Sequence, residues 1–195
     1  MDLTTIAPKM TGKKVLLGPM QKELNDLYRL WLHDAGNFLY LTPSLLLTHE
    51  QETEWLATMD NSDNILFTIF DKSNGKPIGT TALLNVEPVS RGAEFGIVIG
   101  DKDYQNKGYG TEATLLTIDY GFNIANLVSI FLRVHEFNNR AIHVYEKIGF
   151  KRIGMRRQNC YIAGKFYNDI YMDILREDLN GGVIKGMVEK LSQNL

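Results

Sequence analysis

The chain has little cysteine and histidine, and neither residue type occurs in a pattern typical of a metal site. Cys160 is the single cysteine in 195 residues, which excludes a disulfide within the chain. No histidine has the i, i+4 or cysteine-paired spacing of metal ligands. The four histidines are His33, His49, His135 and His143. We therefore expect no structural or catalytic metal.

An excess of either charge and a long apolar run are also missing. The 21 basic and 23 acidic residues give a net charge of −2, without the basic footprint of a nucleic-acid-binding protein. The segment from Met1 to Thr11 lacks the apolar core of a signal peptide, and no stretch approaches the roughly 20 apolar residues of a membrane span. We expect a soluble cytoplasmic protein that binds neither nucleic acid nor membrane.

Apolar residues make up 44% of the chain, which is enough to bury one substantial core. Residues 1–195 are therefore predicted to form a single domain. Its core should cover about residues 13–176, and residues 177–195 should form a helical tail.

The N-terminal part of the chain alternates strand and helix patterns. A short strand is predicted at Val15–Leu17, and a helix at Glu23–Trp31, where apolar residues recur at i, i+3, i+4 and i+7. A loop rich in apolar residues follows at Gly36–Leu47. A further helix should begin at Thr48, which can form a capping box with Gln51.

The middle of the chain predicts a β-hairpin followed by a strand–helix–strand unit. The strands Ile65–Phe70 and Ile78–Leu84 flank an Asn-Gly turn and should pair antiparallel. The strands Ala93–Ile99 and Ile130–Val134 are joined through a helix at Thr111–Ala125, so they should be parallel.

The last third adds a helix and a second hairpin. Apolar spacing predicts a helix at Asn139–Ile148, ended by Gly149 in a left-handed conformation. Two strands, Phe150–Tyr161 and Phe166–Leu175, should form a hairpin around Gly164. The fold class expected is α+β, with one mixed central sheet of about seven strands flanked by helices.

One polar loop has the features of an anion site. It connects a strand to the N-terminus of a helix, where free backbone N–H groups and the positive end of the helix dipole favour negative charge. Gly108 and Gly110 remove side chains that would keep a phosphate away, and Lys107 adds a cation. The candidate pyrophosphate-binding residues are Gln105, Asn106, Lys107, Gly108, Tyr109, Gly110 and Thr111.

Other interpretations of this loop fit less well. A plain glycine-containing loop is an alternative for any isolated Gly-x-Gly. A Walker loop needs Gly-Lys followed by Ser or Thr, whereas Lys107 precedes Gly108. Gly108, Gly110 and Ala113 match a dinucleotide fingerprint, but seven residues separate Gly100 from Gly108, and in that fold the first glycine closely follows the strand.

The loop and a second block resemble the GCN5-related N-acetyltransferase (GNAT) family. Gln105, Gly108 and Gly110 match its central motif of Arg or Gln, two residues, Gly, one residue, and Gly or Ala. Within the family the chain looks most similar to the branch of spermidine N-acetyltransferases and ribosomal-protein N-terminal acetyltransferases. The second block consists of Asn138, Ala141, Tyr145, Gly149 and Phe150.

The resemblance implies acetyl-CoA as co-substrate and a splayed pair of parallel strands, Phe95–Ile99 and Ile130–Val134, around its pantetheine arm. It further implies that Asn138 contacts the cofactor and that Tyr145 points its phenol at the CoA sulfur. The strand residues implied to hydrogen-bond the arm through their backbone are Ile97, Val98 and Ile99.

Acetyl transfer to an amine requires a base for the amine proton and a proton donor for the departing thiolate. Glu94 is the first candidate base, since it begins the strand expected to line the cleft, although a surface or salt-bridged glutamate is the alternative. Tyr145 is the candidate acid, although it also lies on an apolar helix stripe and could be a core residue. The substitute bases are Glu87, His135 and Glu136.

Two further features bear on the mechanism. Backbone N–H groups near Val98, freed by a β-bulge, could polarise the thioester carbonyl. Cys160 is better explained as a buried thiol than as an acyl carrier, since no histidine follows it in sequence. Direct attack in a ternary complex is therefore expected.

The acceptor is left open as an amine-bearing small molecule or a peptide. Residues 37–42 supply no carboxylate for a polyamine, whereas Phe38 and Tyr40 could hold an amine by cation–π contact or pack within the loop. A non-catalytic acyl-CoA-binding module of the same fold is the alternative function. The apolar stripe at Val183–Leu191 and the edge strands could support a homodimer.

Overall fold

The structure is a computed structural model that describes residues 3–41, 48, 50, 63–179 and 181–192. The strands are β1 Met10–Thr11, β2 Val15–Pro19, β3 Ile65–Asp71, β4 Pro77–Glu87, β5 Gly92–Ile99, β6 Ser129–His135, β7 Lys151–Ile162 and β8 Lys165–Leu175. The α-helices within these ranges are α1 Leu3–Ile6, α2 Asn25–His33, α3 Ala35–Phe38, α4 Tyr109–Asn123, α5 Asn139–Ile148 and α6 Val183–Ser192.

The strands form one eight-stranded sheet in the order β1-β2-β3-β4-β5-β6-β8-β7. Neighbouring strands are antiparallel except β5 and β6, which are parallel and joined through α4. The predicted α+β class and mixed sheet are confirmed. The strand beyond the seven expected is β1, whose two residues are too few to produce a periodic pattern.

The parallel strands β5 and β6 separate soon after they begin. Cα partners run from Gly92 opposite Ser129 to Glu94 opposite Phe131, and pairing stops there. The rest of β5 therefore faces a gap, as the family resemblance predicts.

The prediction of a β-bulge near Val98 is wrong. Pairing between β5 and β4 is regular from Gly79 opposite Ile99 to Leu84 opposite Glu94, and the only register shift between these two strands lies beyond it. Backbone groups of β5 face the cleft because β6 diverges, not because β5 bulges.

Turn residues adopt the conformations that the hairpins require. Gly75 has φ +69° in the turn between β3 and β4, and Ala163 and Gly164 have φ +49° and +80° between β7 and β8. Asn and Gly tolerate positive φ, whereas alanine does so at some cost. Both predicted hairpins are confirmed.

The core lies between the sheet and the helices α4 and α5. Fully buried members include Phe122 of α4 and Ile130 of β6. Helix α2 packs on the end of β5, where a Cβ on Gly100 would lie 2.0 Å from the Trp31 ring. This contact fixes the start of the polar loop that precedes α4.

Three regions differ from the sequence expectations or fall outside the described residues. A 3₁₀ turn at Lys22–Leu24 precedes α2, which therefore begins at Asn25. The expected loop at Gly36–Leu47 is partly helical, because Asp34 caps α3 by accepting a hydrogen bond from the Gly36 N–H at 2.8 Å. The helix predicted to begin at Thr48 lies outside the described residues, apart from residues 48 and 50.

The C-terminal helix α6 docks on α4 through a buried carboxylate. Asp119 accepts hydrogen bonds from the backbone N–H groups of Val183 at 2.6 Å and Ile184 at 3.0 Å. Val183 and Ile184 also pack against the core. The tail thus packs on its own chain. No helix within the described ranges is long and apolar enough to cross a bilayer.

Candidate active site

A cavity of about 400 Å³ opens where β5 and β6 separate, and it reaches the N-terminus of α4. Both parallel strands, the polar loop and α5 contribute to its wall. The sequence-predicted residues that line it are Glu94, Ile97, Val98, Ile99, Gln105, Asn106, Gly108, Gly110, Thr111, Asn138 and Tyr145.

The loop ahead of α4 presents an open helix N-terminus to this cavity. Gly108 is the N-cap with φ +85°, and no side chain caps the helix, so the first-turn N–H groups keep their hydrogen-bonding capacity. A Cβ on Gly108 would meet no atom within 4 Å. The bare backbone and the helix dipole together make an anion site with room for a phosphate group.

Gln105 fixes the shape of this loop. Its side-chain amide donates to the Ile99 carbonyl at 2.9 Å and to Asn37 Oδ1 at 3.1 Å. Asn37 is buried, and it donates in turn to the carbonyls of Trp31 at 3.0 Å and Gly100 at 3.2 Å. Helices α2 and α3 therefore hold the loop through one amide network, and Asn37 is a supporting residue that local sequence patterns did not reveal.

Arg140 is a second residue that the sequence analysis missed. It lies in the first turn of α5 and lines the cavity beside the loop. Its guanidinium donates to Gln105 Oε1 at 3.4 Å and to Asn106 Oδ1 at 3.3 Å. The only sequence signal for Arg140 was its position two residues after Asn138, the residue that caps this helix.

Two predicted loop residues lie outside the cavity wall. The Lys107 carbonyl accepts from Lys14 Nζ at 3.1 Å, and its side chain is exposed. The Tyr109 ring lines a separate shallow depression and meets the Tyr104 ring edge-on at 5.1 Å. Burial raises the pKa of the Tyr109 phenol. Neither residue is therefore part of the cavity wall.

Helix α5 places Asn138 and Tyr145 on the opposite wall. Asn138 caps the helix by accepting from the Ala141 N–H at 3.2 Å, and its side-chain amide remains at the cavity wall. The Tyr145 ring packs edge-on against Phe95 at 6.1 Å and near Phe150 at 5.7 Å. Burial raises the pKa of the Tyr145 phenol to about 12. Its hydroxyl makes no hydrogen bond to the residues that the structure describes.

Glu94 lies at the base of the cleft in an ion pair. Its Oε1 accepts from Arg133 Nε at 2.8 Å. The carboxylate raises the pKa of the Arg133 guanidinium. No hydrogen bond to Oε2 from the described residues is present, so that oxygen keeps its capacity to accept one.

The substitute bases differ in placement. His135 lines the cavity and bonds through Nδ1 to Asp169 Oδ1 at 2.7 Å and through Nε2 to the Leu41 carbonyl at 3.0 Å. Both ring nitrogens therefore already have a partner, and neither is free to meet an acceptor amine. Glu136 instead binds the backbone and side chain of Asn168 at 2.8 Å.

The remaining candidates lie away from the chemistry of the cleft. Glu87 is an exposed residue at the end of β4 and does not line the cavity. Cys160 is buried in β7, and burial raises the pKa of its thiol. A higher pKa keeps the sulfur protonated and weakens it as a nucleophile. Among the described residues, no group of three or more His, Cys, Asp or Glu side chains is arranged to hold a metal ion.

Comparisons with known proteins all identify acetyltransferases. A family model for the acetyltransferase (GNAT) domain matches residues 14–151. Spermidine N(1)-acetyltransferase of Escherichia coli (strain K12) is 39% identical over 103 residues, which are 53% of this chain and 55% of that protein. Alpha/beta-tubulin-N-acetyltransferase 9 of Mus musculus is 28% identical over 159 residues, 75% of this chain and 65% of that protein.

A solved structure shares the fold across nearly its whole length. The crystal structure of spermidine N-acetyltransferase from Vibrio cholerae in complex with CoA and spermine has a TM-score of 0.78 and 24% identity. The match covers 86% of this chain and 98% of that one. In sequence, by contrast, the chain matches little more than half the length of the spermidine N(1)-acetyltransferases.

Proposed function

The chain belongs to the GNAT acetyltransferase family, and we propose that it moves the acetyl group of acetyl-CoA to a primary amine by direct attack in a ternary complex. The observation that carries this proposal is the cavity between the separated strands β5 and β6, which continues onto the uncapped N-terminus of α4. That arrangement offers an extended slot for an acyl-pantetheine arm and an anion site for the attached pyrophosphate. A structural relative with CoA bound supports the choice of donor.

The donor would be held mainly by backbone groups. The pantetheine arm carries amides, and β5 beyond Glu94 offers backbone partners at Ile97, Val98 and Ile99 because β6 has diverged. The pyrophosphate would accept hydrogen bonds from the first-turn N–H groups of α4. Asn138 lines the same wall, with its amide nitrogen free to reach the donor after its oxygen has capped α5.

The acceptor amine must lose a proton before or as it attacks. An alkylamine with a pKa of about 10.4 is neutral in only about one molecule in a thousand near pH 7.4. Glu94 is the proposed proton acceptor, since it lines the cavity and Arg133 binds only one of its carboxylate oxygens. The nitrogen forms a bond to the carbonyl carbon, and the proton passes to Glu94 directly or through water.

The carbon–sulfur bond then breaks, and the sulfur needs stabilisation as charge develops on it. The Tyr145 phenol, with a pKa near 12, is a weaker acid than a thiol with a pKa of about 8.5, so full proton transfer would be uphill by about 5 kcal/mol. Tyr145 therefore stabilises the departing sulfur by donating a hydrogen bond to it, and the thiolate takes up the second proton that the nitrogen loses, directly or through water. Its buried ring, fixed against Phe95, keeps the hydroxyl oriented.

The acceptor side of the cavity is formed by Tyr40, Leu41, Arg133, His135 and Asp169. Two pairs of polar side chains are already formed at this wall, Glu94 with Arg133 and His135 with Asp169. The names of the relatives include acceptors as different as spermidine and tubulin. A primary amine on a small molecule or at the end of a peptide fits this wall.

A screen of thiol release from acetyl-CoA tests the proposal. Polyamines, peptides with free N-termini, amino acids and aminoglycosides would each be supplied, and mass spectrometry would locate the acetyl group on the amine. We expect amine-dependent thiol release with at least one class. Tight CoA binding without turnover on any class would favour the acyl-CoA-binding module, and no CoA binding would reject both functions.

A further inference from the structure

Arg140 lies between the loop that precedes α4 and the Tyr40 ring on the acceptor side of the cavity. It extends from the first turn of α5 across the cleft mouth to the loop ahead of α4. Its two hydrogen bonds there, at 3.4 and 3.3 Å, are long and join it to neutral amide oxygens. A guanidinium binds a phosphate or carboxylate by shorter, charge-assisted bonds that are roughly twice as strong.

The charge of Arg140 is not balanced locally. The side chain makes no salt bridge with any carboxylate in the part of the chain that the structure describes. The guanidinium therefore sits beside an anion site with only weak partners. Binding of an anion there can replace two long hydrogen bonds with two short ones at little cost.

The other side of the guanidinium faces the acceptor wall. Its central carbon lies 5.8 Å from the centroid of the Tyr40 ring, a cation–π distance. Tyr40 packs on Phe137 at 5.8 Å, and Phe137 stacks on His135, whose Nε2 bonds to the Leu41 carbonyl. Any movement of Arg140 therefore changes a contact of the segment that begins the acceptor side.

Arg140 also acts on the proposed hydrogen-bond donor to sulfur. Its positive charge favours the ionised form of the Tyr145 phenol and so lowers the pKa that burial raises. One side chain thus affects the phosphate loop, the acceptor wall and the phenol.

We propose that Arg140 transfers its guanidinium from Gln105 and Asn106 to the pyrophosphate of CoA, and that this shift changes its contact with the Tyr40 ring on the acceptor wall. This inference rests on the proposed function, because it takes CoA as the ligand. Arg140 is then a binding residue for the donor whose position is also felt at the acceptor wall.

Calorimetric titration with CoA and NMR titration with pantetheine, which lacks the pyrophosphate, separate this role from a structural one. Arg140→Gln should weaken CoA binding about 10- to 100-fold and leave pantetheine binding within about twofold. Arg140→Lys should give an intermediate loss, since it keeps the charge without the bidentate geometry. The matched control is Arg152→Gln, whose guanidinium pairs with Glu146 on the exposed side of the chain.

Amide hydrogen exchange tests the coupling. In the wild type, CoA should change the exchange rates of the Tyr40 and Leu41 amides, which donate to the carbonyls of Asn37 and Phe38 at 3.0 Å. Arg140→Gln saturated with CoA should show no such change. An equal change in both proteins would overturn the coupling.

The outcomes separate this inference from the proposed function. A wild type that does not bind CoA contradicts the function itself. If the wild type binds CoA and Arg140→Gln binds it within about twofold, or loses CoA and pantetheine affinity equally, then only the role of Arg140 is rejected.

Discussion

Glu94 Oε1 accepts a 2.8 Å hydrogen bond from Arg133 Nε across the point at which β5 and β6 part. The two side chains bridge the gap immediately beyond the last paired residues of the strands. We therefore propose two separable roles for Glu94. It would fix the width of the cleft through Oε1 and take a proton from the acceptor amine through Oε2.

Substitution of Glu94 by glutamine separates these roles. Glu94→Gln keeps an oxygen that can accept from Arg133 but removes the basic carboxylate. We expect kcat to fall by about 10²- to 10⁴-fold with little change in CoA affinity, the range for loss of a positioned general base. Steady-state kinetics with the acceptor found by the screen would measure this.

The matched control for Glu94 is Glu146→Gln. Glu146 also pairs with an arginine, Arg152, at 2.9 Å, but on the exposed surface. Its substitution should leave kcat unchanged. If Glu94→Gln also retains full kcat, the carboxylate only clamps the strands and another group takes the proton.

Removal of the Tyr145 hydroxyl should slow the step in which sulfur departs. Tyr145→Phe keeps the ring contacts with Phe95 and Phe150, so the fold and the CoA affinity should be preserved. We expect kcat to fall about 10- to 100-fold, as is usual for loss of a charge-assisted hydrogen bond to developing charge. Unchanged turnover would remove Tyr145 from the mechanism.

The pH profile provides a second test of Tyr145. The phenol works in its protonated form, which persists below its pKa of about 12 and is lost only above it. The wild-type rate should therefore show no descending limb from Tyr145 up to about pH 10. A descending limb with a midpoint near 9 to 10 that disappears in Tyr145→Phe would show that the phenol is not buried during catalysis.

The docking of the C-terminal helix on Asp119 should contribute measurably to stability. Asp119 is fully buried and accepts from Val183, Ile184 and the Asn123 side chain. Asp119→Ala leaves the two backbone donors without a partner, which costs about 1–3 kcal/mol in the free energy of unfolding. Urea denaturation followed by circular dichroism would measure the loss.

A shortened chain gives the control for this experiment. In a chain that ends at Leu179, the helix α6 is absent, and Asp119→Ala should then cost much less than in the full chain. An equal cost in both backgrounds would show that Asp119 acts within α4 and does not hold the tail.

The elements with strong periodicity were predictable from the sequence. Helix α5 runs over the expected residues Asn139–Ile148, because its apolar stripe, its Asn cap and its terminal glycine all agree. The splay of β5 and β6 followed from the family resemblance and not from any local pattern. Strand β1 and helix α3 were missed, since two and four residues do not produce a period.

Site residues that depend on distant contacts could not be predicted. Asn37 and Gln105 are 68 positions apart, and only the packing of α2 on the end of β5 brings them together. His135 and Asp169 meet because β6 and β8 pair in register. The sequence also could not predict the direction of the Tyr109 ring, because a motif locates a residue in the loop but does not determine its side-chain rotamer.

Gly110 offers the sharpest test of the donor site. It is the second residue of α4, and a Cβ there would only touch Ile99 at 3.4 Å, so a side chain at this position fits the free protein. An aspartate in the first turn of a helix is also stabilising, because its charge meets the positive end of the helix dipole. A loss of binding in Gly110→Asp would therefore result from repulsion of the phosphate and not from unfolding. Gly154→Asp is the control, since a Cβ on that β7 residue meets nothing within 4 Å.

Calorimetric titration of CoA into the wild type, Gly110→Asp and Gly154→Asp tests whether the pyrophosphate of acetyl-CoA lies on the N-terminus of α4. The added carboxylate should occupy the anion site and repel the phosphate groups. We predict that the wild type and Gly154→Asp bind CoA equally, and that Gly110→Asp binds it at least about tenfold more weakly. Equal affinity in all three proteins, or no binding by the wild type, would show that the pyrophosphate does not lie at this helix end.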